Sequence, residues 1–320
     1  MTIDQLPNEV LLDIFKFYVD MPCPDLDTCS GMDSWQVLVH VCQRWRSLVF
    51  ASPRRLDLEL LCTNRRPVTK KLDIWPDLPI VVYTDFTISQ RYDVSNIAFA
   101  LKQHNRISGI EIVDIPNSLL EEFVAIKMPF PVLTDLALWV NHKDLDVIIP
   151  DSFLGGSAPR LRVLHLDRIP FPALPKLLSS TTELVALTLY WVPDSGFISP
   201  NAMATGLSAL KRLETLRLEF GASRSRAHRE NRHPPAVTRT ILPALTEFRL
   251  ESDGEYVEAF MSQIDTPILE EACITFSGQP PPPESDSPQL RDFISRTEAF
   301  KAPHWAKVII GERSVFLTFF

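Results

Sequence analysis

A six-residue pattern, apolar-x-x-apolar-x-apolar, returns seven times between Ile107 and Ile274 and constrains the fold more than any other feature of the chain. The copies are I-S-G-I-E-I from Ile107, L-T-D-L-A-L from Leu133, L-R-V-L-H-L from Leu161 and L-V-A-L-T-L from Leu184. They continue as L-E-T-L-R-L from Leu213, L-T-E-F-R-L from Leu245 and L-E-E-A-C-I from Leu269. Their first positions lie 26, 28, 23, 29, 32 and 24 residues apart. The last three positions alternate, as in a short half-buried strand. A unit this small cannot enclose a core of its own, so successive copies must stack and share one.

The spacers support a strand followed by a helix. Ser118 to Met128 places Leu119, Leu120, Phe123 and Val124 at helical spacing, and Leu174 to Ser179 gives a shorter turn after Pro170 and Pro172. Glu255 to Ile264 puts Tyr256, Val257, Phe260, Met261 and Ile264 on one helical face. This succession, with a period in the twenties, resembles the irregular leucine-rich repeats. The fit is uneven: only the copy at Leu133 has an Asn (Asn141) where the family's turn ladder usually carries Asn or Cys. The expected class is α/β, an irregular solenoid over residues 106–278 behind a small helical N-terminal domain over 1–53. Residues 54–105 form a connecting segment, with strand patterns at Arg55 to Leu61 and Leu72 to Tyr83, the latter broken by Pro76 and Pro79, and a helix over Asp93 to His104. A Pro-rich linker, 279–289, leads to a helix over Leu290 to Ala299. The runs Val308-Ile309-Ile310 and Val315-Phe316-Leu317 are expected to close the open end of the array within 290–320.

At the N-terminus Pro7 can start a helix at its first position, and Asn8 and Glu9 suit the positive helix end. Val10, Ile14 and Tyr18 share one face, with Leu11, Phe15 and Val19 beside them. Trp35, Leu38, Cys42, Trp45 and Val49 recur at steps of 3, 4, 3 and 4 behind a capping Ser34, and Ser52-Pro53 stops this second helix. Periodicity gives only a helical hairpin. Its wording, L-P-x-E-V-L-x-x-I-F then V-C-x-x-W-R-x-L, resembles the F-box. Leu6, Pro7, Glu9, Val10, Leu11, Ile14 and Phe15 match its opening; Val41, Cys42, Trp45, Arg46 and Leu48 match its close. The connector Asp20 to Asp33 is longer than in the shortest members. The resemblance implies docking onto the Skp-type adaptor of an SCF-type (cullin-RING) ubiquitin ligase through these residues, with the rest of the chain choosing a protein substrate. The alternative is a non-catalytic repeat scaffold in which the hairpin is only an N-terminal cap.

Composition narrows the remaining classes. A net charge of -8 argues against a general nucleic-acid or anionic-membrane binder. No signal-peptide pattern and no uninterrupted apolar run of ~18 residues occurs. Cys23, Cys29, Cys42, Cys62 and Cys273 are an odd, scattered set, which fits a reducing compartment, cytoplasm or nucleus. Cys23 and Cys29 share the connector, but no second Cys/His pair sits at metal spacing, so neither zinc nor another cofactor is expected. The nucleotide-binding, zinc-protease and serine-hydrolase motifs are all missing, and His40, His104, His142, His165, His228, His233 and His304 are dispersed, so no enzymatic activity is expected.

Residues flanking the middle apolar position of each copy point away from the core. One outward row is Glu111, Ala137, His165, Thr188, Arg217, Arg249 and Cys273; the next is Val113, Trp139, Asp167, Tyr190, Glu219, Glu251 and Thr275. Trp139 and Tyr190 beside His165 and Asp167 form a candidate anchor for a substrate, since Trp and Tyr often dominate binding energy. Arg217, Glu219, Arg249 and Glu251 extend the surface or pair with one another across strands. Gly221 to Pro235, with Arg224, Arg226, His228, Arg229, Arg232 and His233, is either a basic finger for an acidic or phosphorylated target or a solvated loop.

Overall fold

The computed structural model describes residues 3–20, 34–63, 72, 74, 75, 77–87, 94–141, 147–220, 239–277, 288–300, 306–310 and 314–319. The expectations for the connector after Asp20, for the basic stretch 221–235 and for the proline run 280–287 fall outside these residues.

Every copy of the apolar pattern becomes a strand. After β1 (Leu60–Cys62) and β2 (Ile80–Asp85) come β3 (Ile107–Val113), β4 (Asp135–Trp139), β5 (Val163–Asp167), β6 (Ala186–Val192) and β7 (Thr215–Phe220). β9 (Glu247–Ser252) and β11 (Glu271–Ser277) complete the set. These strands lie side by side in chain order and all parallel. β12 (Ala306–Ile310) and β13 (Ser314–Phe319) add an antiparallel hairpin to the edge of β11. The short β8 (Thr240–Ile241) and β10 (Ile264–Asp265) pair separately. The fold is therefore α/β with a mostly parallel sheet.

The apolar positions explain the sheet. Leu133, Leu136 and Leu138, Leu161, Leu164 and Leu166, Leu184, Leu187 and Leu189, and their counterparts in the other copies are all at most 2% exposed. Each large aliphatic side chain buried this fully contributes roughly 1.5–3 kcal/mol, so the stack of inward triplets is the main driving force. The residue after each first apolar position continues the backbone ladder from copy to copy. Thr134 donates to Ser108 O, Arg162 to Thr134 O, Val185 to Arg162 O and Glu214 to Val185 O, all at 2.7–2.8 Å.

Helices α4 (Val94–Leu101), α5 (Asn117–Val124), α6 (Leu174–Leu178), α7 (Pro200–Leu207) and α8 (Gly254–Met261) form a second layer. α4 packs on α5, α6 on α7, and α7 on α8. Among the described residues between β4 and β5, the 3-10 turn Phe153–Gly156 takes the helix's place. Apolar periodicity does not mark α7; its signals are Ser199, which caps it by accepting from Ala202 N at 3.3 Å, and Pro200, which opens it. α9 (Pro288–Arg296) covers α8, where Glu258 accepts from Gln289 N and Leu290 N at 2.9 and 3.3 Å.

The N-terminal region departs from the sequence reading in four places. α1 runs Asn8–Asp20, with the Pro7 carbonyl accepting its first bond from Leu11, so Pro7 precedes the helix rather than opening it. The second helix is not continuous: α2 (Ser34–Val39) ends, and α3 (Gln43–Ala51) begins afresh after Cys42, whose extended backbone (φ -158) and Sγ cap Trp45 N at 3.5 Å. The alternation at Arg55 to Leu61 yields a strand only from Leu60; Leu56 is buried from a turn and Leu58 from the irregular segment after it, with Asp57 left-handed at φ 47. Among the described residues of the stretch read as a second early strand, Ile80–Asp85 is extended, while Leu72 and Ile74 are helical.

Candidate functional site

Two surfaces stand out, one at each end of the expected division of labour. The first is the helical N-terminus. Leu11 and Phe15 are fully buried, and Trp45 rests on Phe15 with ring centroids 4.6 Å apart. Those residues of the motif hold the helices together, so the part available to a partner is narrower than the sequence match. Leu6, Trp45 and Leu48 are half-buried; Pro7, Glu9, Val10, Ile14, Val41, Cys42 and Arg46 are exposed. Along α1, Val10, Ile14, Phe17 and Tyr18 form an apolar stripe with exposures of 41, 43, 72 and 40%, and Val41 at the α2–α3 turn is 56% exposed. Arg44 fixes the entry to α1 by donating to Leu6 O at 2.6 Å and Asn8 Oδ1 at 2.9 Å. The base of the helices joins the first strand: Trp35 Nε1 donates to Glu59 O at 2.8 Å and its ring meets Trp75 at 5.2 Å.

The second surface is the sheet face opposite the helices. Strand register places Glu111, Ala137, His165, Thr188, Arg217, Arg249 and Cys273 in one row, as the repeat spacing predicts. In the next row Trp139, Asp167 and Tyr190 are in register. The row then breaks, because β6 bulges between Leu189 and Val192, and Glu219, Glu251 and Thr275 resume it on the far side. Val113 pairs with Asp85 and not with Trp139.

The four anchor candidates do come together. The Trp139 ring lies 4.6 Å from His165, and His165 lies 5.4 Å from Tyr190. Burial, and then the Arg217 guanidinium, hold His165 down to about pKa 4, so the ring is neutral at physiological pH. Its Nε2 and Asp167 Oδ1 are buried without a hydrogen-bond partner. Burial raises the Asp167 carboxyl, against the pull of Arg168, which stays 3.9 Å away. Arg168 and Trp191 stand outside both outward rows of the repeat pattern. Both hold left-handed backbone (φ 59 and 49), uncommon for residues with a Cβ, and the Arg168 guanidinium lies over the Trp191 ring at 5.9 Å.

The charged residues do not pair as the sequence suggested. Arg217 stands opposite Arg249 and Glu219 opposite Glu251, like facing like. Arg217 instead reaches Glu247, a residue outside the expected set, at 2.6 Å. Arg249 is exposed. Glu219 is left among carboxylates: burial, then Glu251 and Asp167, push it up to about 7, with Arg249 and Arg168 opposing. The face therefore combines aromatic rings, a neutral imidazole and carboxylates with elevated proton affinity. Among the described residues no group of three or more His, Cys, Asp or Glu is arranged to hold a metal ion, and no helix is long and apolar enough to cross a membrane. No protein-family model matches the chain, and no curated protein matches it.

Proposed function

We propose that the chain is the substrate-recognition subunit of an SCF-type ubiquitin ligase, with an F-box at its N-terminus and a leucine-rich-repeat solenoid behind it. The observation that carries this is the apolar stripe Val10, Ile14, Phe17 and Tyr18 on α1, exposed while Leu11 and Phe15 close the hairpin from within. An exposed apolar stripe on a helix invites a helical partner. The parallel strands, the spacing of the copies and the shared core support the solenoid reading. The chain would do no chemistry; it would raise the concentration of a bound target near the ubiquitin-loaded enzyme.

A second reading keeps the helices as a cap on the sheet. It is favoured by the Trp35–Glu59 bond and the Lys16–Asp57 ion pair at 2.5 Å, which tie α1 and α2 to the segment leading into β1. Co-purification with a Skp-type adaptor separates the two. The parent chain is expected to form a stoichiometric complex that Val10→Glu/Ile14→Glu abolishes without changing the circular dichroism or melting of the chain. A well-folded parent chain that captures no adaptor would leave the cap reading in its place.

A further inference from the structure

Building on the reading of the open sheet face as the site of target recognition, we propose that this face takes an extended basic segment of a protein target. One arginine or lysine side chain would sit between Trp139 and Tyr190 against Asp167, and a further cation at Glu219 and Glu251. Charge complementarity points to this occupant. From β4 to β9 the outward positions carry the carboxylates Asp135, Asp167, Glu219, Glu247 and Glu251 against two cations, Arg217 and Arg249. One of those two is already neutralised, since Arg217 is bonded to Glu247. His165 adds no charge, because its ring is held neutral. Arg168, just past β5, lies over the Trp191 ring and forms only a long ion pair with Asp167 at 3.9 Å, which leaves Asp167 Oδ1 without a hydrogen-bond partner for a closer cation to supply.

The shape and chemistry of the face narrow the partner further. Aromatic rings flanking a carboxylate suit a cation carried on a carbon stem, which rests on the ring faces while its head meets the oxygen. A polyanion such as nucleic acid would be repelled. Five neighbouring strands, β4 to β7 with β9, span four spacings of about 4.8 Å, so about six extended residues cross the site. The opposed Glu219 and Glu251 give the complex a pH signature. Asp167, Arg249 and Arg168 face Glu219, and His165 and Arg217 lie in the adjoining row. A bound cation favours the ionised form of Glu219, so affinity should rise as the pH goes from 6 to 8.

The test uses the full chain and a fluorescein-labelled peptide of alternating Arg and Ser, with alternating Glu and Ser as the control, read by fluorescence anisotropy. Saturable binding of the Arg peptide is expected, at least tenfold tighter than the Glu peptide and stronger at pH 8 than at pH 6. Asp167→Asn/Glu219→Gln and Trp139→Ala should each weaken it tenfold or more. Glu121→Gln/Glu122→Gln, on exposed positions of α5 away from the face, should leave it unchanged. Equal loss in the α5 variant would mean diffuse attraction by an acidic chain and would overturn the proposal, as would no binding or binding indifferent to the sheet-face variants. Adaptor co-purification is run on the same samples. Peptide binding without adaptor capture keeps this proposal and removes the ligase reading; adaptor capture without peptide binding does the reverse.

Discussion

Glu219 shows how a single residue on this sheet acquires chemistry from its neighbours. Its strand register is ordinary, but the residue opposite is Glu251, and Asp167 lies near enough to add to the repulsion. The folded group therefore holds its proton up to about pH 7, against a value of 4.5 when free of these neighbours. Between those two values the folded state binds more protons than the unfolded one, so stability falls as pH rises through the window. The penalty of ionising Glu219 is absent below pH 4.5 and complete above 7. Glu219→Gln removes it. The variant should melt close to the parent at pH 4.5 and progressively above it towards pH 8, as followed by calorimetry. A gain of the same size at every pH would show that packing, and not ionisation, distinguishes the amide from the acid. The outward position of Glu219 was legible from alternation alone. Its elevated proton affinity was not, because that depends on which strand lies opposite.

At the scale of elements the same division holds. The seven strands were readable because each inward triplet is buried by stacking on the next copy, and stacking demands the same apolar spacing every time. The connecting elements obey no shared pattern, and their boundaries come from local chemistry. The helical run from Ser34 to Val49 is cut at Cys42 because its thiol caps a new helix, while the apolar steps continue undisturbed across the break. α7 is the opposite case, since it carries clear Ser-Pro start signals with a small-residue face that periodicity passes over. Gly206 in α7 explains that face. A Cβ there would lie 2.8 Å from Pro175 Cα and 3.1 Å from its carbonyl oxygen in α6. Replacing a helix-interior Gly by Ala ordinarily gains about 1 kcal/mol, but forcing atoms into a packed contact costs about 1–3 kcal/mol. Contact with rigid backbone decides the sign. Gly206→Ala should destabilise the chain in urea unfolding. Gly254→Ala, where the nearest atom is Phe276 Cδ1 at 3.9 Å, should stabilise it by about 0.4–1 kcal/mol. If both substitutions stabilise alike, α6 and α7 are not held at this distance.

The whole molecule has to end its sheet somewhere, and a parallel sheet built by addition has two open edges. The first is short, since β1 spans only Leu60–Cys62 and stands beside the helical N-terminus. The other is β11, a seven-residue strand whose outer edge would present a full row of unpaired backbone groups. An edge of that length is a template for pairing with another chain. β13 occupies it, antiparallel, over six residue pairs from Ala272 to Ser277, and β12 lies outside β13. The helical layer is closed at the same end. Phe293 of α9 is fully buried and faces Phe248 at 6.4 Å, and Arg296 donates to Met261 O and Ile264 O at 2.8 Å each, satisfying carbonyls at the end of α8 and just beyond it. Ending the chain at Ser277 removes both closures at once. The shortened protein should melt lower and elute as soluble oligomers in light-scattering chromatography. Cys273, outward on β11, gives the control, because a charge there opposes edge-to-edge pairing. Adding Cys273→Lys to the shortened chain should return much of it to monomer without restoring the melting temperature. That separates an exposed edge from a lost core. A shortened chain that stays monomeric and melts like the parent would mean that α9, β12 and β13 only decorate a sheet already closed by other means.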